Sequence, residues 1–262
     1  MQLLVSVRNA QEAQCALEGG ADVIDAKEPL AGALGPVSLP TFRTIVTAVA
    51  SQRPVSAALG EVRDQQNAER NALEFARVGA AFVKIGFAGI TSEALAEALM
   101  TAAAAGASTG GSQLVAVAYA DCACVGALPP DRILDVAVRS GAHGVLLDTV
   151  RKDGPSLPEL LSQAHLAAWA GRARSAGLFT AIAGRLRLED LSIMVESGAD
   201  IVGVRGAACD NGRNGSINPE RVRGLRTALR VRTHHTRPTA VLVAASGQRW
   251  DRRELSLSRR QI

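Results

Sequence analysis

Of the 29 basic side chains in this chain, three are lysines, Lys27, Lys84 and Lys152, and the other 26 are arginines. Arginine stays protonated in proteins, whereas a lysine can lose its proton when desolvated and then act as a nucleophile or proton carrier. A chain that uses arginine for nearly every solvated cation and keeps three lysines therefore points to places where an amine is needed. Each lysine stands at the C-terminal end of a segment with strand character: Lys27 closes residues 21–27, Lys84 lies near the end of 81–85, and Lys152 follows 144–148. Asp25 precedes Lys27 by two residues and so faces the same side of its strand, and Asp148 ends another of these strands. Carboxylates in apolar strands need partners, and the lysines are the available cations. The chemistry open to such a group is attack of an amine on a carbonyl to give a Schiff base, followed by proton transfers, with Lys27 the attacking amine. A structural salt-bridge layer is the alternative for the same residues.

A second set of residues suggests what the substrate carries. Residues 178–183 run into Gly184 and Arg185, and residues 201–205, ending in Arg205, run into Gly206. Together with Gly203 these form a glycine- and arginine-bearing pair of turns, where backbone N–H groups can approach an anion and a guanidinium can add charge-assisted hydrogen bonds. The expected ligand group is a phosphate. Glu28 to Gly35, after the first lysine, is long and glycine-punctuated and reads either as a lid or as an ordinary loop.

The elements that must position these residues follow from a repeat. Strand-like runs at 3–7, 21–27, 55–59, 81–85, 114–120, 144–148, 178–183 and 201–205 alternate with Ala-rich amphipathic segments beginning near Asn9, Ser38, Asp64, Thr91, Pro129, Leu157, Arg187 and Asn218. Several of these starts carry a capping side chain or a first-turn proline. Gly19-Gly20, Gly79, Gly141 and Gly198 precede strands where a left-handed C-cap is needed. Eight parallel βα units in one domain predict an α/β fold, a single (β/α)8 TIM barrel over residues 1–230. An open doubly wound sheet is the alternative, but no G-x-G-x-x-G follows the first strand. In a barrel the ends of strands 2, 4 and 6 share parity, so Lys27, Lys84 and Asp148 are expected to converge, with the loops after strands 7 and 8 in the usual phosphate position.

Composition sets the remaining bounds. The formal charge is +4, yet from Val231 onward seven arginines face Asp251 and Glu254, so the body of the chain is close to neutral. Residues 231–262 read as a basic extension: a solvated tail, an arm on a neighbouring subunit, or a weak nucleic-acid contact. No apolar run is long enough to span a bilayer, and the first residues read as a strand rather than a signal peptide, so a cytoplasmic location is expected. Cys15, Cys122, Cys124 and Cys209 form no CxxC pair and read as reduced bystanders, with a metal at Cys122 and Cys124 the weaker alternative. His143 starts a strand and His234-His235 lie in the tail, so no histidine dyad or metal set is apparent. No cofactor and no metal are expected. The partners expected are a small-molecule substrate and further copies of the chain, with neither nucleic acid nor membrane.

The segment Glu18-Gly19-Gly20-Ala21-Asp22-Val23-Ile24-Asp25-Ala26-Lys27-Glu28-Pro29, with Val83-Lys84-Ile85-Gly86, Tyr119-Ala120-Asp121, Leu147-Asp148-Thr149, Lys152-Asp153-Gly154 and Gly203-Val204-Arg205-Gly206-Ala207-Ala208-Cys209, resembles the (5-formylfuran-3-yl)methyl phosphate synthase family across about the first 230 residues. The resemblance implies a lyase that condenses two molecules of glyceraldehyde 3-phosphate into a phosphorylated furan aldehyde, with loss of phosphate and water, in methanofuran biosynthesis. By position it implies Lys27 as the Schiff-base lysine and Lys84 as the proton-transferring lysine, kept partly neutral by a nearby cation, through enolisation, aldol joining and elimination. Asp25, Asp148 and Lys152 are implied as supporting groups that orient the amines and stabilise the iminium. Glu28, where the family tends to an amide, and the tail after Arg230, which compact archaeal relatives lack, depart from the pattern. The other readings are a Schiff-base aldolase acting on a phosphorylated triose, and a non-catalytic barrel that binds a partner through its tail.

Overall fold

The computed structural model describes residues 1–233, and the greater part of the basic extension, from residue 234 on, lies outside the described residues. The chain alternates strand and helix as β1 (Gln2–Val7), α1 (Ala10–Glu18), β2 (Val23–Ala26), α2 (Leu39–Val49), β3 (Val55–Glu61), α3 (Gln65–Val78), β4 (Phe82–Gly86), α4 (Glu93–Thr109), β5 (Gln113–Tyr119) and α5 (Pro130–Arg139). It continues through β6 (Gly144–Asp148), α6 (Leu157–Leu160), α7 (Gln163–Ser175), β7 (Phe179–Ile182), α8 (Leu191–Glu196), β8 (Ile201–Val204) and α9 (Pro219–Thr233). All eight strands are parallel and each pairs with its neighbours in sequence. β1 also pairs with β8, with Leu4 level with both Val23 and Gly203, which closes the barrel and excludes the open sheet.

Local chemistry explains the boundaries. Asn9, Ser38, Asp64, Ser92 and Ser162 each accept a backbone N–H three residues on, fixing the starts of α1, α2, α3, α4 and α7. Gly20, Gly79, Gly141 and Gly198 take positive φ between a helix and the next strand, as the sequence pattern requires. Two helical segments differ from expectation. The helix expected from Leu157 starts there but breaks at Leu161, where the backbone extends and Ser162 starts a second helix with its own cap. The helix expected from Arg187 begins at Leu191, because Asp190 accepts the Arg187 N–H (2.8 Å) and holds the intervening residues as a turn.

The strands separate two apolar layers. Outward residues such as Val5, Ile24, Val83, Leu147 and Val202 pack under the helices, while Phe82, Val115, Leu146, Phe179 and Ile201 fill the barrel interior. Phe82 and Phe179 meet edge to face, with ring centroids 5.3 Å apart, and form its floor. Of the polar inward residues, Ser6, Asp25 and Asp148 lie toward the C-terminal ends of their strands, Lys84 is at the middle of β4, and Ser56, near the start of β3, is level with Asp25. Apolar floor and polar mouth thus follow from position along the strands.

Gly106 marks the closest helix contact. A methyl group there would run into the Glu69 carbonyl oxygen and its backbone. Gly106→Ala gains about 0.5–1 kcal/mol of helix propensity, but separating two packed backbones costs about 1–3 kcal/mol. Net destabilisation is expected in urea unfolding, and a stabilised variant would rule out the tight α3–α4 approach.

Candidate active site

A cavity of about 540 Å³ opens at the C-terminal end of the barrel and holds Asp25, Lys27, Lys84, Asp148 and Lys152 on its wall. Strand parity brings these five together. Asp25 points inward from β2, Lys84 from β4 and Asp148 from β6, while Lys27 follows β2 directly and is fixed by its N–H to the Val7 carbonyl (2.9 Å).

The charges form two tight pairs and one remainder. Lys84 Nζ lies 2.5 Å from Asp25 Oδ1, and the same carboxylate accepts the Ser6 hydroxyl at 2.8 Å and the Ser56 hydroxyl at 2.7 Å. Burial alone would raise the Asp25 pKa, but the Lys84 and Lys27 charges and the hydrogen bonds from Lys84 and Ser56 outweigh it and hold the carboxyl below its usual range. Lys152 Nζ donates to Asp148 Oδ1 at 2.6 Å, and the Thr149 N–H adds a second bond to that oxygen at 2.7 Å. Asp148 is likewise held low: burial opposes, and Lys152 and Lys27 prevail. The loop carrying Lys152 is itself pinned by Asp121, which accepts the Val150 and Arg151 N–H groups at 2.7 and 2.9 Å.

Lys27 has no carboxylate in contact among the described residues and is only 8% exposed. Desolvation takes its pKa from 10.5 to about 7; Asp148 and Asp25 pull upward, and Lys152 and Lys84 push further down. That bias toward the neutral amine is on the order of 5 kcal/mol. Lys27 is therefore the amine of the three with an available lone pair near neutral pH, while Lys84 and Lys152 sit in ion pairs. The charge in contact with Lys84 is the Asp25 carboxylate.

The second set of residues divides. Gly184, Gly203 and Gly206 line the cavity, and Gly203, inward on β8, leaves it open where a side chain would press on Ala183. Arg185 also lines it, in a left-handed conformation (φ 57°), but its side chain is exposed at the rim and interacts with Asp153 and Glu159. The expectation for Arg205 is corrected. It is buried, and its five N–H donors reach both oxygens of Glu12 (2.8 and 3.2 Å) and the carbonyls of Ser6, Arg213 and Gly215. With every donor committed to protein, Arg205 is a clamp between α1 and the loop after β8. Sequence reasoning missed Arg213, whose guanidinium faces the cavity from that loop. It also missed Ser6 and Ser56, which read as ordinary strand residues and fix Asp25. Tyr119 and Glu61 form a further buried pair beside the site, the phenol donating to the carboxylate while the Ala88 N–H (2.7 Å) satisfies the other oxygen. Among the described residues no group of three or more His, Cys, Asp and Glu is placed to hold a metal, and no helix is long and apolar enough to cross a membrane.

The electrostatics give a signed expectation. Labelling of Lys27 by a small neutral amine-reactive reagent, followed by peptide mass analysis, should rise with pH through a midpoint at about 7 and flatten well above it. Lys152→Met removes a repelling charge and frees Asp148, so the midpoint should move up, whereas Asp148→Asn should move it down. A wild-type midpoint near that of an exposed lysine would defeat the desolvation argument.

Comparison with known proteins gives this geometry its context. The profile of the family described as 4-HFC-P synthase matches residues 3–226. The (5-formylfuran-3-yl)methyl phosphate synthase of Methanopyrus kandleri is 40% identical over 233 residues, covering 87% of this chain and 98% of that protein. The Methanosarcina barkeri enzyme of the same name is 36% identical over 228 residues, covering 86% and 97%. The crystal structure of 3-hexulose-6-phosphate synthase from Salmonella typhimurium superposes with a TM-score of 0.65 at 16% identity, covering 88% of this chain and all of that one, a likeness of fold. With matches of this extent joined to the closed barrel and its lysine cluster, the chain is an enzyme that belongs to the 4-HFC-P synthase family.

Proposed function

We propose that the protein is a (5-formylfuran-3-yl)methyl phosphate synthase, a cofactor-independent lyase that joins two molecules of glyceraldehyde 3-phosphate into a phosphorylated furan aldehyde through a Schiff base on Lys27, as a step of methanofuran biosynthesis. The observation that carries the reading is the buried, unpaired Lys27 amine with a pKa of about 7, beside two lysine–aspartate pairs. A neutral amine attacks the aldehyde carbon of the first triose, and loss of water leaves an iminium whose positive charge falls between Asp25 and Asp148. The iminium draws electrons from the adjacent carbon, so a proton can leave there, and the Lys84–Asp25 pair stands where it can move protons through enolisation, carbon–carbon joining and elimination. Lys152, on Asp148, keeps positive potential near the departing phosphate. Water returns at the end to release the product and restore the amine.

The reaction also asks for anion sites. The backbone at Gly184 and Gly206, in the loops after β7 and β8, is suited to phosphate oxygens, with Gly203 within β8 leaving room for them and Arg185 adding positive charge at the rim. The positive lining attracts a doubly charged triose.

Incubating the protein with glyceraldehyde 3-phosphate, with borohydride added to half, tests substrate and mechanism together. The expected results are a furan aldehyde phosphate in the untreated half and a reduced adduct on Lys27 in the other. Lys27→Met should lower turnover at least about a thousandfold and abolish the adduct. An adduct without furan would replace the synthase by a Schiff-base aldolase, and absence of both would sink the Schiff-base reading.

A further inference from the structure

We infer that Arg213 is the guanidinium that takes the phosphate of the triose bound at Lys27, and that it ties this phosphate to the loop following that lysine. The inference deepens the proposed function and rests on it for the identity of the ligand; the anion site itself rests on geometry.

Arg213 sits on the loop after β8, which folds back through an antiparallel bridge between Cys209 and Ile217, the Asp210 N–H to the Ser216 carbonyl (3.0 Å) and the Gly215 N–H to the Gly212 carbonyl (3.0 Å). Arg205 holds this loop from beneath, its Nε on the Arg213 carbonyl (2.8 Å) and one Nη on the Gly215 carbonyl (3.0 Å), and Arg205 is fixed in turn by Glu12. The base of Arg213 is thus immobilised by a buried ion pair. Its tip crosses to the loop after β2, where a single nitrogen, Nη2, donates to the carbonyls of Pro29 (3.0 Å) and Gly32 (2.9 Å). That loop is closed at its neck by the Glu28 N–H on the Gly35 carbonyl (2.8 Å), a contact that a side chain at position 35 would block.

One nitrogen serves both carbonyls, and the Nε–H and Nη1–H of Arg213 have no acceptor among the described residues. The side chain is half-buried on the cavity wall and within electrostatic reach of Asp148. A guanidinium partly withdrawn from water on a cavity wall, with donors unfilled, is matched by an anion with several acceptor oxygens. The other arginines that line the cavity are more fully engaged or more exposed: Arg205 has no donor left, Arg221 is paired with Asp210, and Arg185 and Arg187 lie exposed at the rim beside Asp153, Glu159 and Glu189. A phosphate on Arg213 shares its guanidinium with the Pro29 and Gly32 carbonyls, so it is bound by the side chain that joins the loops after β2 and β8.

Two measurements on full-length wild type, Arg213→Met and Arg213→Lys test this. Calorimetric titration with inorganic phosphate, which does not involve the Lys27 amine, should give binding at least about tenfold weaker in Arg213→Met, with Arg213→Lys between. Equal affinity in all three overturns the anion site. Borohydride trapping then compares glyceraldehyde 3-phosphate with glyceraldehyde at Lys27. Wild type should prefer the phosphorylated aldehyde, and Arg213→Met should lose at least about tenfold of that preference while glyceraldehyde still reacts. Equal slowing of both aldehydes makes Arg213 a loop clasp only and overturns the inference. Phosphate binding that depends on Arg213, without trapping of either aldehyde, upholds the anion site and rejects the proposed function.

Discussion

The site depends on an imbalance: three ammonium-bearing side chains are buried against two carboxylates. Each aspartate takes one lysine in direct contact, Asp25 with Lys84 and Asp148 with Lys152, and no charge is left for Lys27. Burying a cation without a partner costs several kcal/mol even after relaxation, and the protein meets that cost by releasing the proton. Stability and reactivity therefore meet in one group. A third carboxylate in contact with Lys27 would settle the charge and favour the protonated amine.

Holding two pairs apart from a third amine requires that none of the partners exchange. Ser6 and Ser56 occupy both oxygens of Asp25, from the strands on either side of β2. The Thr149 N–H and Lys152 share one oxygen of Asp148, and Asp121 reaches across from the neighbouring loop to fix the turn between them. These constraints come from rigid strands or from backbone donors, which rearrange little. Beyond the strands, Arg205 and Glu12 tie the loop after β8 to the first helix.

Much of this was legible in the sequence, for identifiable reasons. The barrel follows from eight strand signals whose intervening glycines take the left-handed conformation the pattern implies. The lysine cluster was visible because arginine had been used almost everywhere else, which turned ordinary residues into a signal. Arg205 was misread because its partners lie far away in the chain: Glu12 is 193 residues distant, and nothing local says that a guanidinium at the end of β8 has already spent its donors. Arg213 was missed for the opposite reason. It lies within Asn211-Gly212-Arg213-Asn214-Gly215, a turn-forming run in which an arginine reads as solvated, and only the fold turns it inward. The extra cap at Ser162 was in the sequence, but one polar residue in an amphipathic run does not announce a break.

The edge-to-face pair of Phe82 and Phe179 has a consequence for traffic. These rings fill the barrel interior at the starts of β4 and β7, opposite the charged mouth by which the cavity is entered. Under the proposed condensation of two identical molecules, both would arrive through that mouth, the first would need to be anchored before the second, and a released phosphate would leave the same way. The covalent tether proposed at Lys27 would solve a queueing problem as well as a chemical one, since what is bonded to the wall cannot be pushed back out by its twin.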